Sequence, residues 1–319
     1  MRITILGGAG ELGSMVAALS VRRGYEVRVV DRVRPHEAWR LDVLDIKQDI
    51  EYVWKDVRDI LPSDIAGDYL FDCACQPDRD FGIVSPTSTV LDNLEVPLRV
   101  LEAARDVPEL KLVMYPSSTV EFSGFIGTIN ETSTPVPTNH YGLSKWMAEE
   151  LYRLYDRVYG VKTLVIRTGS CYYPMMRTTQ FISNCIVHML KGEDFYVKSP
   201  DAARLYTYGG DVQSFYQKLF DRIEADDPLP YVLHNGGNYG DEVIKTIRAA
   251  NLIKALTGSD ASLISGGYET GEQVGGVPVN VVEESEVTRL WLGWSPQYTF
   301  EEGLRETIFW FKDNLWRYM

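Results

Sequence analysis

Short apolar runs alternate with stretches of helical periodicity through the first half of the chain. Ile3 to Leu6 is an unbroken apolar run of the kind a strand buried on both faces requires. Leu12, Met15, Val16 and Leu19 then recur at helical intervals, which predicts a helix that Gly24 is placed to end. Val27 to Val30 predicts a second strand, and a third precedes Asp56. "YLFDCACQP" (69–77) reads as a fourth strand running into a loop, 87–106 as a helix and 111–119 as a fifth strand. A long helix over 141–160, closed by Gly160, leads to a sixth strand over 163–170. Strands alternating with helices imply an α/β fold, a doubly wound parallel sheet that binds ligands at its strands' carboxyl ends. The final stretch, 300–319, has the pattern of an amphipathic packing helix, and 257–280 is glycine-rich and loop-like.

The first connection carries the first chemistry. Gly7, Gly10 and Gly13 form GxxGxxG between the first strand and its helix. Glycines there permit a tight turn and let backbone N–H groups approach a pyrophosphate, with the helix N-terminus supplying partial positive charge. Asp31 closes the second strand, placed to accept hydrogen bonds from ribose hydroxyls, which favours NAD. Arg32 and Arg34 beside it keep NADP open.

Composition narrows the ligand classes. The 319 residues carry a formal charge of −13 and a pI near 4.9, which disfavours nucleic acid and anionic membrane surfaces as partners. No apolar run reaches the roughly 18 residues of a membrane span, and the N-terminus lacks a signal-peptide layout. Four scattered cysteines and four histidines suit neither a disulfide framework nor a metal site, so a cytoplasmic, metal-free protein is expected.

"NHYGLSK" (139–145) then places Tyr141 and Lys145 four apart, on one face of the predicted helix. A phenol titrates near pH 10 when free; a neighbouring ammonium favours the phenolate, making Tyr141 a candidate base for a substrate hydroxyl. Ser117, at the end of the fifth strand, is a candidate donor to the same oxygen.

GGAGELG, Asp31, "KDVRD", "PSSTV", "YGLSK", the segment 167–174 and "LGWSPQYTFEEGL" together resemble the extended short-chain dehydrogenases, the NAD-dependent epimerase/dehydratase family, over nearly the whole chain. The resemblance implies a Rossmann-type NAD-binding domain over 1–170, with return segments from roughly 205–235. A smaller C-terminal α/β substrate domain over 171–319 and a homodimer are also implied. Tyr141, Lys145 and Ser117 match the catalytic set. Gly7, Gly10, Glu11, Leu12, Gly13, Asp31, Arg32, Asp56, Val57, Cys73, Ala74, Cys75, Asn93, Tyr115 and Thr168, with Tyr141 and Lys145, match cofactor positions. Ser117, Ser118, Thr119, Tyr141, Ser170, Arg177 and Arg204 fall at substrate positions, and Arg204 is where sugar-nucleotide enzymes meet phosphate.

Departures from the pattern sharpen the expected reaction. Glu11 replaces an aromatic, and its charge beside a pyrophosphate requires that it point to solvent. Asp72 and Cys75 replace a histidine and an alanine, and Glu121 replaces a tyrosine. The acid pair of the 4,6-dehydratases is replaced by Ser118 and Thr119, neither an effective proton donor at neutral pH. The first reading is therefore a nucleotide-sugar 4-epimerase. The alternatives are an NAD(P)-dependent oxidoreductase of a non-nucleotide small molecule and a catalytically silent dinucleotide-binding sensor.

Overall fold

The computed structural model describes residues 1–77, 79–125, 127–237, 240, 242–266, 281–283 and 285–319. Most of the glycine-rich stretch over 257–280 therefore lies outside the described residues. The chain divides into two compact units. The first comprises Met1–Glu121, Asn139–Arg167 and Leu219–Leu233; the second comprises Phe122–Thr138, Thr168–Lys218 and His234–Met319.

The central sheet has seven strands: β1 (Arg2–Leu6), β2 (Glu26–Asp31), β3 (Ile50–Trp54), β4 (Tyr69–Asp72), β5 (Leu112–Ser118), β6 (Thr163–Thr168) and β7 (Val232–Asn235), in the order β7-β6-β5-β4-β1-β2-β3. From β3 through β5 the neighbours run parallel, with Ile5 opposite both Val29 and Phe71. The chain leaves β1 toward β2 on one side and returns as β4 on the other. The loops after β1 and β4 therefore diverge, opening a crevice at their carboxyl ends. The doubly wound sheet expected from alternation is what forms. Its seventh strand escapes an apolar-run reading because half of it is His234 and Asn235, both buried all the same.

Three helices position the site: α1 (Glu11–Arg22), α2 (Pro86–Arg105) and α3 (His140–Tyr159). Helix α1 packs on β1 and β2, α2 and α3 pack on each other, and α3 packs on β5. Val96, Val100 and Leu101 of α2 and Ala148, Tyr152 and Tyr155 of α3 meet Leu6, Leu70, Val113 and Val165 of the sheet in one buried cluster. That burial supplies the main driving force for docking both helices.

The second unit is built of short paired strands and helices. Ser170–Tyr172 pairs with Tyr206–Tyr208, Phe195–Val197 with Leu263–Ser265, and Ala203–Arg204 with Ile244–Lys245. The terminal pattern forms a helix over Phe300–Asn314, begun by a reciprocal cap between Thr299 and Glu302. It buries Phe300, Leu304, Ile308 and Phe311, and Tyr172 donates its hydroxyl to the Phe300 carbonyl at 2.9 Å. Among the described residues no helix is long and apolar enough to cross a membrane.

Candidate active site

The turn between β1 and α1 is closed by its own backbone. The Gly7 N–H donates to Val30 O at 2.9 Å, and the Gly10 N–H to Gly7 O at 3.0 Å. Gly7 has φ +70°, and a Cβ on Gly13 would come within 2.8 Å of Gly8 Cα, so the turn tolerates no side chain there. Gly10 is the N-cap of α1 and no side chain caps the helix, so the first-turn amides face the crevice as an anion site. This is a cradle that fits a pyrophosphate.

Asp31 is buried at the end of β2. Its Oδ2 accepts from the Ala9 N–H and its Oδ1 from the Val33 N–H, both at 2.9 Å. The carboxylate thus ties the glycine turn to the strand after it, with the remaining lone pairs left for a ribose. Trp54 donates its indole N–H to the Arg32 carbonyl at 3.0 Å, and its ring stands under the Arg34 guanidinium. Asp56 accepts from the Arg58 N–H at 2.9 Å and from the Arg58 guanidinium at 2.7 and 3.0 Å. Those bonds hold the Asp56 carboxyl below the usual range. Val57 beside it is buried.

Glu11 departs from expectation. Its side chain does not project into solvent: it is 16% exposed and its Oε1 lies 3.7 Å from Arg40 Nη2. The required offset comes from a cation on the short helix Trp39–Val43 instead of from water.

The end of β4 forms the opposite wall. Asp72 is 1% exposed, with the Tyr152 hydroxyl donating to Oδ2 at 2.6 Å and the Ala74 N–H to Oδ1 at 3.2 Å. Burial outweighs those bonds and the nearby Lys145 charge, pushing its pKa from 3.8 up to about 6. Burial likewise pushes the Cys73 thiol up, and Cys75 is partly buried beside it. Folding therefore favours the protonated form of Asp72, so its cost is absent below about pH 4, grows as pH rises to about 6, and is constant above. An Asp72→Asn variant should lose that slope and exceed the native protein at neutral pH by up to about 3 kcal/mol. Urea unfolding between about pH 4 and 7 checks this; parallel curves for the two proteins would contradict it.

Asn93 on α2 is buried and acts on protein atoms. Its Oδ1 accepts from the Gln76 N–H at 2.7 Å, and its Nδ2 donates to Gln76 O at 3.1 Å and to Ser144 Oγ at 3.0 Å. It clamps the loop after β4 to α3.

Helix α3 starts where the sequence places Tyr141. The Asn139 Oδ1 accepts from the Gly142 N–H at 2.8 Å, capping the helix. A Cβ on Gly142 would lie 2.6 Å from the Val120 carbonyl, so glycine is what lets the first turn of α3 lie against the chain just after Ser117. Lys145 is 2% exposed; its ammonium donates to Pro116 O at 2.7 Å and sits 4.1 Å from the centre of the Tyr115 ring. Tyr115 in turn stacks on Tyr152 with ring centres 4.4 Å apart. Tyr141, one turn earlier on the same face, keeps part of its surface open. Ser118 Oγ accepts from the Val120 N–H at 3.2 Å, and Thr119 opens the turn Thr119–Phe122. The fold thus brings Ser117, Tyr141 and Lys145 to the same end of β5.

Behind Ser117 lies a cluster that pattern reading does not find. Ser117 Oγ is 3.4 Å from Glu121 Oε2. The Arg167 guanidinium, on β6, is 2.6 Å from Glu121 Oε1 and donates to Glu149 of α3 at 3.0, 3.2 and 3.3 Å. The only sign in the sequence is a glutamate just beyond a buried strand end.

Thr168, Ser170, Arg177 and Arg204 belong to the second unit. Thr168 and Ser170 flank Gly169, whose N–H donates to Asn235 O at 3.0 Å. The Arg177 carbonyl accepts from Ser183 Oγ at 2.6 Å, and Arg204 pairs with Ile244 across two strands beside the buried Tyr206 hydroxyl. Among the described residues no group of three or more metal-ligating side chains exists.

The sequence pattern of the NAD dependent epimerase/dehydratase family matches residues 3–233. Among curated proteins, the chain is 27% identical to the UDP-glucuronic acid decarboxylase 1 of Xenopus tropicalis over 98% of its own length and 73% of that protein. It is 26% identical to the dTDP-glucose 4,6-dehydratase of Neisseria meningitidis serogroup B, over 98% and 94% of the two chains. Among solved structures, the UDP-glucose 4-epimerase of Thermotoga maritima, determined with UDP-glucose, superposes with a TM-score of 0.86 at 22% identity over 99% of this chain and 100% of that one. The glycine turn, the acid that ends β2 and the Tyr-Lys helix thus sit within the matched residues, and the chain belongs to the NAD dependent epimerase/dehydratase family.

Proposed function

We propose that the protein is an NAD-dependent nucleotide-sugar 4-epimerase, which oxidises a secondary alcohol on the sugar and reduces the ketone from the opposite face. What supports this reading is the buried Lys145 ammonium on the carbonyl of Pro116, the residue before Ser117 and one helical turn from Tyr141, with Ser118 and Thr119 where the dehydratases hold an acid pair. In this scheme Tyr141 accepts the proton of the sugar hydroxyl, and the fixed Lys145 ammonium favours its phenolate. Ser117 holds the same oxygen by a hydrogen bond, and Tyr141 later returns the proton. NAD, when bound, supplies the hydride acceptor and then the donor. Its pyrophosphate would lie on the turn from Gly7 to Gly13, with Leu12 in the first turn of α1. Its adenosine would lie by Asp31, Arg32, Asp56 and Val57, and its remainder along Cys73, Ala74 and Cys75. Asp31, with a backbone N–H on each oxygen, presents a negative charge that disfavours an added 2′-phosphate.

The relatives' names support a nucleotide sugar as the substrate class. Arg204 and Arg177, with Thr168 and Ser170, are the proposed contacts of its diphosphate and sugar. The test is a thermal-shift screen with NAD, NADP and UDP-, dTDP-, GDP- and CDP-sugars. A ligand at about 100 times its Kd adds roughly 2.7 kcal/mol of apparent stability. NAD and one nucleotide class should raise Tm, and silence from every sugar nucleotide would remove this substrate reading. Leu91 and Leu98 on α2 and Met147, Leu154 and Val158 on α3 form exposed apolar rows on two helices packed together. They support a homodimer, which sedimentation of the same samples as a monomer would contradict.

A further inference from the structure

The Lys145 ammonium is 2% exposed, and a cation taken out of water must be compensated by its surroundings or give up its proton. One of its three N–H groups donates to Pro116 O at 2.7 Å. The face of the Tyr115 ring supplies a second compensation, with its centre 4.1 Å from Nζ, and an aromatic face counts for most where solvent is excluded. That ring is held in place. It is 1% exposed and stacks on Tyr152, with ring centres 4.4 Å apart and planes inclined by 16°. Tyr152 lies two turns after Lys145 on the same helix, and its hydroxyl donates to the buried Asp72 at 2.6 Å. The row Asp72, Tyr152, Tyr115 therefore runs from the end of β4 to the ammonium and stops there.

Resting on the proposed roles of Tyr141 and Lys145, we infer that Tyr115 is a positioning residue: its ring, braced by Tyr152 and Asp72, keeps the Lys145 ammonium charged and in place one helical turn from Tyr141. Without the ring, the ammonium shifts toward another partner or loses its proton. Either change weakens the positive potential at Tyr141, so either raises the pH at which that phenol ionises. The face of the Tyr115 ring does this work, and its hydroxyl is not needed. The other groups that feel the Lys145 charge are the carboxyl of Asp72 and the thiol of Cys73 at the end of β4, and the carboxyl of Glu121 after β5. Glu149, on the same helix as Lys145, is held by Arg167 of β6. A substitution at Tyr115 leaves all of these in the protein, so a difference between variants with and without the ring reports the ring.

Ultraviolet titration of the NAD-loaded protein tests this without any substrate, the Tyr141 phenolate being isolated by subtracting the spectra of the Tyr141→Phe version of each protein. In the native protein Tyr141 should ionise below the roughly 10 of a free phenol. Tyr115→Leu should move that titration up by about one pH unit, leaving about tenfold less phenolate at neutral pH. Tyr115→Phe, which keeps the ring, should titrate as the native protein does. An unmoved titration in Tyr115→Leu, or a Tyr115→Phe that shifts as far, would overturn the inference. Proton NMR of the lysine-labelled native protein decides the matter even where Tyr115→Leu does not fold. The methylene beside the Lys145 ammonium should resonate upfield through the ring current, in a signal lost from Lys145→Met; an ordinary position for it would overturn the inference. A Tyr141 that ionises like a free phenol in the native protein would remove its proposed role and this inference together, whereas a lowered Tyr141 that ignores Tyr115→Leu would remove the inference alone.

Discussion

A Tyr141→Phe variant is expected to fold normally, to keep its thermal shift with NAD, and to lose turnover by roughly 10² to 10⁴, the usual contribution of a positioned acid–base group. The substitution removes one hydroxyl and leaves the ring, so packing at the start of α3 is preserved. The size of the loss follows from where Lys145 is held. Its ammonium is buried, bonded to Pro116 O and set over the Tyr115 ring, so its charge acts through a medium that screens it little. A phenol that would be about one part in a thousand ionised at neutral pH in water becomes usable as a base beside such a cation. Steady-state turnover with the sugar nucleotide that binds, measured beside NAD affinity, checks this. A variant with native turnover would show that another group moves the proton.

The features legible in the sequence are those whose partners lie close along the chain. The glycine turn and Asp31 share one strand-helix-strand unit, and the Ala9 N–H to Asp31 bond spans only 22 residues. Tyr141 and Lys145 are one helical turn apart, and Gly142 between them already reports that backbone will approach closely. Where partners come from distant elements, the sequence is silent. Tyr152 reaches Asp72 across 80 residues, and Arg167 reaches back past helix α3 to Glu121. The offset of Glu11 is invisible for the same reason: Arg40 lies on a five-residue helix without a strong period. His234 and Asn235 disguise the seventh strand because burial, not polarity of the residue, decides that strand.

The same long-range cluster gives the largest expected change in stability. An Arg167→Met variant should be destabilised by about 3–5 kcal/mol at neutral pH, the usual cost of stranding a buried charge partner. Methionine fills much of the volume, so the loss is electrostatic more than steric. Without the guanidinium, Glu121 and Glu149 must enter the core as acids, while in the unfolded chain a glutamate ionises near 4.5. The folded pKa of Glu121, already raised by burial, then lies further above the unfolded one. The penalty is therefore small below about pH 4 and grows with every unit above it, the direction set by linkage. Urea unfolding of the variant at about pH 4.5 and 7.5 should show the deficit widening with pH, and adding Glu149→Gln should recover part of it, because a neutral amide enters the core without a counter-charge. A deficit that stays constant across that range would mean that the cluster acts by packing.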